Sequence, residues 1–155
     1  MADHKPIEDT SVYLLFSQLA EEVWLVVPDW DSFAKWTIGK QLVEAAGRIT
    51  ANLVEGDGRF SDPDANRFFV TARGSTRETR EFIKKAGQRN LISAERTEIM
   101  TAQANHGPKQ LNGLIACRRQ TGLTMAVRED LGEYFDSVSD LSQRSTLNAK
   151  RYAPF

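Results

Sequence analysis

Four cations stand four, three and four residues apart in this chain, at Arg73, Arg77, Arg80 and Lys84. That spacing places them on one stripe of a helix. Closely spaced guanidinium and ammonium groups are what phosphate recognition needs, and a guanidinium can bind a phosphate through two parallel hydrogen bonds. Lys85 and Arg89 project from other sides of the same helix and add to its field. The alternative is a solvated helix face whose arginines pair with carboxylates of a neighbouring helix.

The groups that could carry covalent or acid–base chemistry lack partners at useful spacing. His4 and His106 belong to no motif, and Cys117 follows an apolar run with no orienting His or Asp beside it. The carboxylates Glu21, Glu22, Glu55, Glu78, Glu81, Glu95 and Glu98 do not form the Glu-x-x-His pattern of di-iron helix bundles. Gly74-Ser75 is an isolated glycine with no strand before it, so it is not a phosphate loop. A glycine inside a helix costs about 1 kcal/mol relative to alanine. Close helix packing, within the bundle or between subunits, is the expected reason. Asn52, Glu55, Gly56 and Arg59 form a polar group read as scaffold: Asn52 and Glu55 lie one turn apart, able to bond loop amides, and Gly56 permits a turn. No catalytic residue, metal site or cofactor is expected, and the chain is read as a non-enzyme.

The elements that must position these residues follow from apolar periodicity. With 155 residues the chain fits one domain. Its formal net charge of −1 argues against a uniformly basic nucleic-acid binder. The average hides a basic middle, because residues 67–96 hold eight cations against three carboxylates while both ends are acidic. A lone cysteine excludes an internal disulfide. The longest apolar run, 23–27, is too short to span a bilayer, and no secretory signal is seen, so a cytoplasmic, reducing setting is expected.

A first helix opens at Asp9-Thr10-Ser11, carries Val12, Phe16, Leu19, Val23 and Val26 on one face, and ends before Pro28. A second spans about 35–54, with the stripe Ile38, Leu42, Ala45, Ile49 and Leu53, and Gly56-Asp57-Gly58 is expected to stop it through a left-handed glycine cap. Ser61 to Asp64 starts a third helix, about 64–89, lined by Phe69, Ala72, Thr76, Thr79, Ile83 and Ala86. Ser93 caps a fourth, in which Gly107-Pro108 predicts a kink or break near His106. Trp24, Trp30 and Trp36 surround the first junction and are expected in the core. The organisation predicted is a tail at 1–8, an all-α antiparallel four-helix bundle at 9–120, and a partly helical or flexible extension at 121–155. The closing Arg151-Tyr152-Ala153-Pro154-Phe155 reads as an exposed peptide with two aromatic anchors.

Two segments are recognisable: Asn52-Leu53-Val54-Glu55-Gly56, continuing to Arg59-Phe60-Ser61, and Ala72-Arg73-Gly74-Ser75-Thr76-Arg77-Glu78. Trp36-Thr37-Ile38 with Gln41, Ala45 and Ala46 precedes them, and Leu111-Asn112-Gly113-Leu114-Ile115 follows. In that order they resemble the bacterial four-helix-bundle family of proteins encoded in intervening sequences of large-subunit ribosomal RNA genes. That family also holds the accessory variability determinant of diversity-generating retroelements. The resemblance covers about 16–120. It implies assembly as a homopentameric ring or barrel, binding of RNA or DNA, and partnership with a reverse transcriptase. The chain departs from the family pattern at Val43-Glu44, where two basic residues are common, at Gly107-Pro108, and in its extension. The function expected is a homo-oligomeric nucleic-acid-binding accessory protein. The alternative is a protein-only oligomeric adaptor.

Overall fold

The computed structural model describes residues 6–119, with side chains described to residue 116. All of them fall in one compact unit, Met1–Thr121. Four long helices make up the fold: α1 (Ser11–Val26), α2 (Lys40–Asp57), α3 (Asp62–Gln88) and α4 (Ala94–Arg119). No strand occurs among the described residues, and no helix among them is long and apolar enough to cross a membrane.

Side chains of the predicted types set the helix starts. The Thr10 hydroxyl accepts from the Tyr13 amide at 3.4 Å and so opens α1. Pro28 turns the chain after α1 through a short 3-10 segment, Val27–Asp29. Asp31 then accepts from the Ala34 amide at 3.0 Å, starting a helical run that passes through a wide turn, Lys35–Gly39, into α2. Ser61 caps α3, with Pro63 in its first turn, and Ser93 caps α4.

The α2 stop differs from expectation. Gly58 has φ −72°, and no described glycine adopts a positive φ. Gly56 is instead needed for space, since a Cβ there would sit 2.6 Å from the Phe69 ring. The left-handed residue is Asn90 (φ 56°), which closes α3. The Leu91 amide reaches the Ala86 carbonyl at 2.9 Å and the Asn90 amide reaches Gly87 at 3.0 Å, the Schellman pattern.

Pro108 does not break the fourth helix: α4 runs continuously through it. A helix-interior proline costs about 3 kcal/mol, but a break here would uncover the core. Phe16, fully buried on α1, packs so close to Gly107 that a Cβ there would lie 1.8 Å from its ring. Leu111 is buried one turn on. Each such side chain contributes about 1.5–3 kcal/mol by burial, and together they outweigh the lost hydrogen bond.

The core is the predicted one on α1 to α3, joined by Leu15, Ala46, Met100, Ala104 and Leu111. The two buried threonines are satisfied within α3, Thr76 donating to the Ala72 carbonyl and Thr79 to that of Ser75. Of the three tryptophans only Trp30 is buried, while Trp24 and Trp36 are 61% and 74% exposed. They sit where α1 closes and α2 opens, beyond the reach of the core stripes. Part of the expected tail is anchored as well. Ile7 is buried, and its amide donates to the Asp57 carboxylate at the far end of α2. The extension at 121–155 lies outside the described residues.

Neighbouring helices meet in reverse order along the chain. Gly56 faces Phe69 while Arg48 pairs with Glu78, joining α2 to α3. Arg73 meets Asn112, Arg80 meets Asn105 and Gly87 meets Thr97, joining α3 to α4. Phe16 meets Gly107 and Glu22 meets Gln103, which closes α4 back onto α1. With α1 also packed on α2, the helices form a four-membered ring in which the α1/α2 seam lies opposite the α3/α4 seam.

Candidate nucleic-acid interface

The predicted cationic stripe lies on the outer edge of the α3/α4 seam. The core of α3 is carried by Ala72, Thr76, Thr79 and Ile83, and Arg73, Arg77, Arg80 and Lys84 stand one position beyond each of these. Each is therefore rotated about 100° away from the core. Arg73 and Arg80 are half-buried against α4, and Arg77 and Lys84 are exposed. Arg73 Nη1 donates to Asn112 Oδ1 at 2.8 Å, and Arg80 Nη1 donates to Asn105 Oδ1 at 3.0 Å.

Those two bonds fix the register of the seam. Thr101, Asn105, Pro108 and Asn112 follow one another at four, three and four residues on α4, as the cations do on α3. An amide oxygen orients a guanidinium without cancelling its charge, which leaves further N–H donors of each arginine available. Among the described residues no carboxylate lies within ion-pair distance of Arg73, Arg77, Arg80 or Lys84. Lys109, exposed on α4, adds a cation beside the strip. From residue 73 to 84 the strip runs about 16 Å at 1.5 Å per residue. Chemically it is an oriented row of positive charge with hydrogen-bond donors facing solvent, suited to a polyanion.

The other two cations fall elsewhere. Lys85 pairs with Glu81 at 3.6 Å and stands 5.7 Å from the Phe82 ring, on the opposite edge of α3. Arg89 is exposed at the C-cap of α3.

Arg59 bonds Glu55, lies 3.6 Å from Asp64 and stacks over Phe68 at 4.7 Å, tying the end of α2 to the start of α3. Asn52 reaches no loop amide and donates to the Arg48 carbonyl of its own helix at 2.6 Å. Ser75 is buried, but Gly74 is exposed and a Cβ there would meet nothing within 4 Å. Packing within the bundle therefore does not explain this glycine. Among the described residues no group of three His, Cys, Asp or Glu is placed to hold a metal ion. His4 and the Cys117 side chain lie outside the description.

Sequence reading missed Asn105, Asn112 and Lys109. The signal was present, since Asn105 and Asn112 repeat the seven-residue interval of Arg73 and Arg80. It becomes legible only once α3 and α4 are known to be neighbours.

A family model, described as 23S rRNA-intervening sequence protein, matches residues 8–113. The match spans α1 to the last two turns of α4 and contains every cation of the strip. Among curated proteins none matches the chain.

Proposed function

We propose that this chain, a member of the 23S rRNA-intervening sequence protein family, is a non-enzymatic accessory protein that binds nucleic acid along its α3/α4 seam. The observation that carries this reading is the strip itself: four cations in register, two oriented by amide oxygens and none neutralised by a carboxylate. A strip about 16 Å long matches roughly five phosphates of one strand at 3.4 Å rise per nucleotide. With contacts to the backbone alone, binding is insensitive to base sequence.

The working form is an antiparallel bundle assembled as a homo-oligomer, a ring of five by resemblance. The reverse order of helix contacts supports the first, and the exposed Gly74, for which the bundle provides no reason, is consistent with a subunit contact. In a ring the strip repeats with each copy, raising the local positive potential. By the same resemblance the partner machine is a reverse transcriptase of a diversity-generating retroelement, with the protein holding RNA or complementary DNA for it. A protein-only adaptor is the second reading, favoured by the exposed Trp24 and Trp36.

The deciding experiment titrates labelled RNA and DNA at two salt concentrations, with wild type and with Arg73, Arg77, Arg80 and Lys84 changed to Gln, recording solution mass for both. Salt-sensitive binding by the wild type that is lost in the variant is expected. A well-folded wild type that binds neither nucleic acid refutes the reading and leaves the adaptor.

A further inference from the structure

The seam opposite the cations has the same geometry and contrasting chemistry. On α1, Tyr13, Ser17, Ala20 and Trp24 follow at four, three and four residues, each one position beyond a core residue. On α2, Val43, Gly47, Thr50 and Val54 repeat that spacing, again one position beyond the core. The two ends of this pair are fixed by the Ile7 amide on Asp57 and by Val27 against Gly39. That register sets Trp24 opposite Val43, Ala20 opposite Gly47 and Tyr13 opposite Val54. None of these positions is charged.

The seam is shallow and open in the middle. Tyr13, Ala20 and Val43 are half-buried against the core, whereas Trp24 and Val54 are 61% and 41% exposed. Gly47 is exposed, and a Cβ there would meet nothing within 4 Å, so no packing within the chain requires a glycine. Phe33 (80% exposed) and Trp36 extend the apolar surface at the tryptophan end. From 13 to 24 the seam is about 16 Å long, three helical turns. Large apolar side chains beside a slim centre form the kind of groove that receives the apolar stripe of a helix.

The rims say what kind of helix. Residues 7–57 carry nine carboxylates against three cations, the reverse of 58–119 with twelve cations against six carboxylates. Glu8, Asp9, Glu21, Asp29 and Asp31 are all exposed around this half, and Glu44 pairs with Lys40 at 3.9 Å. An uncharged floor with acidic margins complements an occupant whose apolar stripe is flanked by Lys and Arg. The α3/α4 face of a second copy is a poor fit, because it would lay arginines on a floor that holds no carboxylate.

We infer that the α1/α2 seam is a docking groove for a basic amphipathic helix of a partner protein, on the side of the bundle away from the nucleic-acid strip. This inference does not depend on the nucleic-acid reading.

The test uses the full chain and two labelled 18-residue synthetic helices with the same leucine stripe, one flanked by lysines and the other by glutamates, followed by fluorescence anisotropy. The lysine helix is expected to bind saturably and at least tenfold more tightly than the glutamate helix. Gly47→Leu, which fills the open centre, and Trp24→Lys, which changes an exposed side chain, should each weaken that binding at least tenfold. Their thermal melts should still show a folded bundle. Replacing the four strip cations by Gln should leave it within twofold. Equal affinity for both helices, no binding of either, or unchanged binding by the two folded groove variants overturns the inference. So does a homo-oligomer that excludes the lysine helix yet falls apart on Gly47→Leu, since the groove's occupant would then be a second copy.

Discussion

Changing Arg73, Arg77, Arg80 and Lys84 together to Gln removes four cations from the α3/α4 seam without touching a buried apolar residue. Each phosphate neutralised by a cation releases counterions, so the logarithm of the binding constant falls with the logarithm of salt by about 0.9 per contact on duplex DNA and about 0.7 on single strands. Four contacts per copy give slopes of about −3.6 and −2.8. Between 50 and 200 mM salt these amount to losses of roughly 150-fold and 50-fold. The quadruple variant should flatten the slope by at least those amounts, and an oligomer engaging several copies should flatten it by more. Lys85→Gln provides the geometric control, because Lys85 pairs with Glu81 on the other edge of α3. It should change the slope by less than about 0.9, one contact's worth. The assay is a salt titration of labelled single-stranded RNA, with circular dichroism confirming equal helicity. A quadruple variant whose slope stays within about one unit of wild type would falsify the reasoning, as would a Lys85 variant that flattens the slope just as much.

Gly107→Ala places a Cβ 1.8 Å from the Phe16 ring. Overpacking of this kind costs about 1–3 kcal/mol, so a thermal melt should show a Tm lower by about 2–12 °C, and an unchanged Tm would show that the ring can move aside. Gly56→Ala should also destabilise, since Phe69 occupies the space, whereas Gly74→Ala should raise stability by about 0.5–1 kcal/mol in the isolated bundle. A higher melting point for the Gly74 variant together with a lower solution mass would mark that face as a subunit contact. Asn90→Ala should cost about 1 kcal/mol because of the left-handed backbone there, and Asn90→Gly should not. Chemical denaturation of the pair checks it.

What the sequence revealed depended on whether one helix or two decided the outcome. The stripes of α1 to α3, the caps at Thr10, Ser61 and Ser93, and the grouping of the four cations on one face all follow from a single helix's periodicity. The continuity of α4 through Pro108 does not, because local propensity argues for a break and burial against Phe16, about 90 residues away, helps reverse the balance. Gly56 was read as a turn residue for the same reason: its constraint comes from Phe69 on the next helix. Trp24 and Trp36 looked like core by type, but both fall outside the buried stripe. The role of Asn105 and Asn112 required knowing which helices adjoin, information that no single window of sequence contains.

The closure of α4 onto α1 also bears on the order in which the chain can fold. The α2–α3 and α3–α4 hairpins join segments adjacent in sequence, whereas the Glu22–Gln103 bond bridges 81 residues. Loop closure of that length is entropically costlier and slower than hairpin formation. During synthesis Phe16 therefore emerges long before Gly107, the residue that covers it, and the ring of helices is completed last. The closing interface carries a buried polar side chain, Gln103, whose Nε2 donates to the Glu22 carboxylate at 3.1 Å. The ring is therefore complete only when α1 and α4, the two helices farthest apart in sequence, have met.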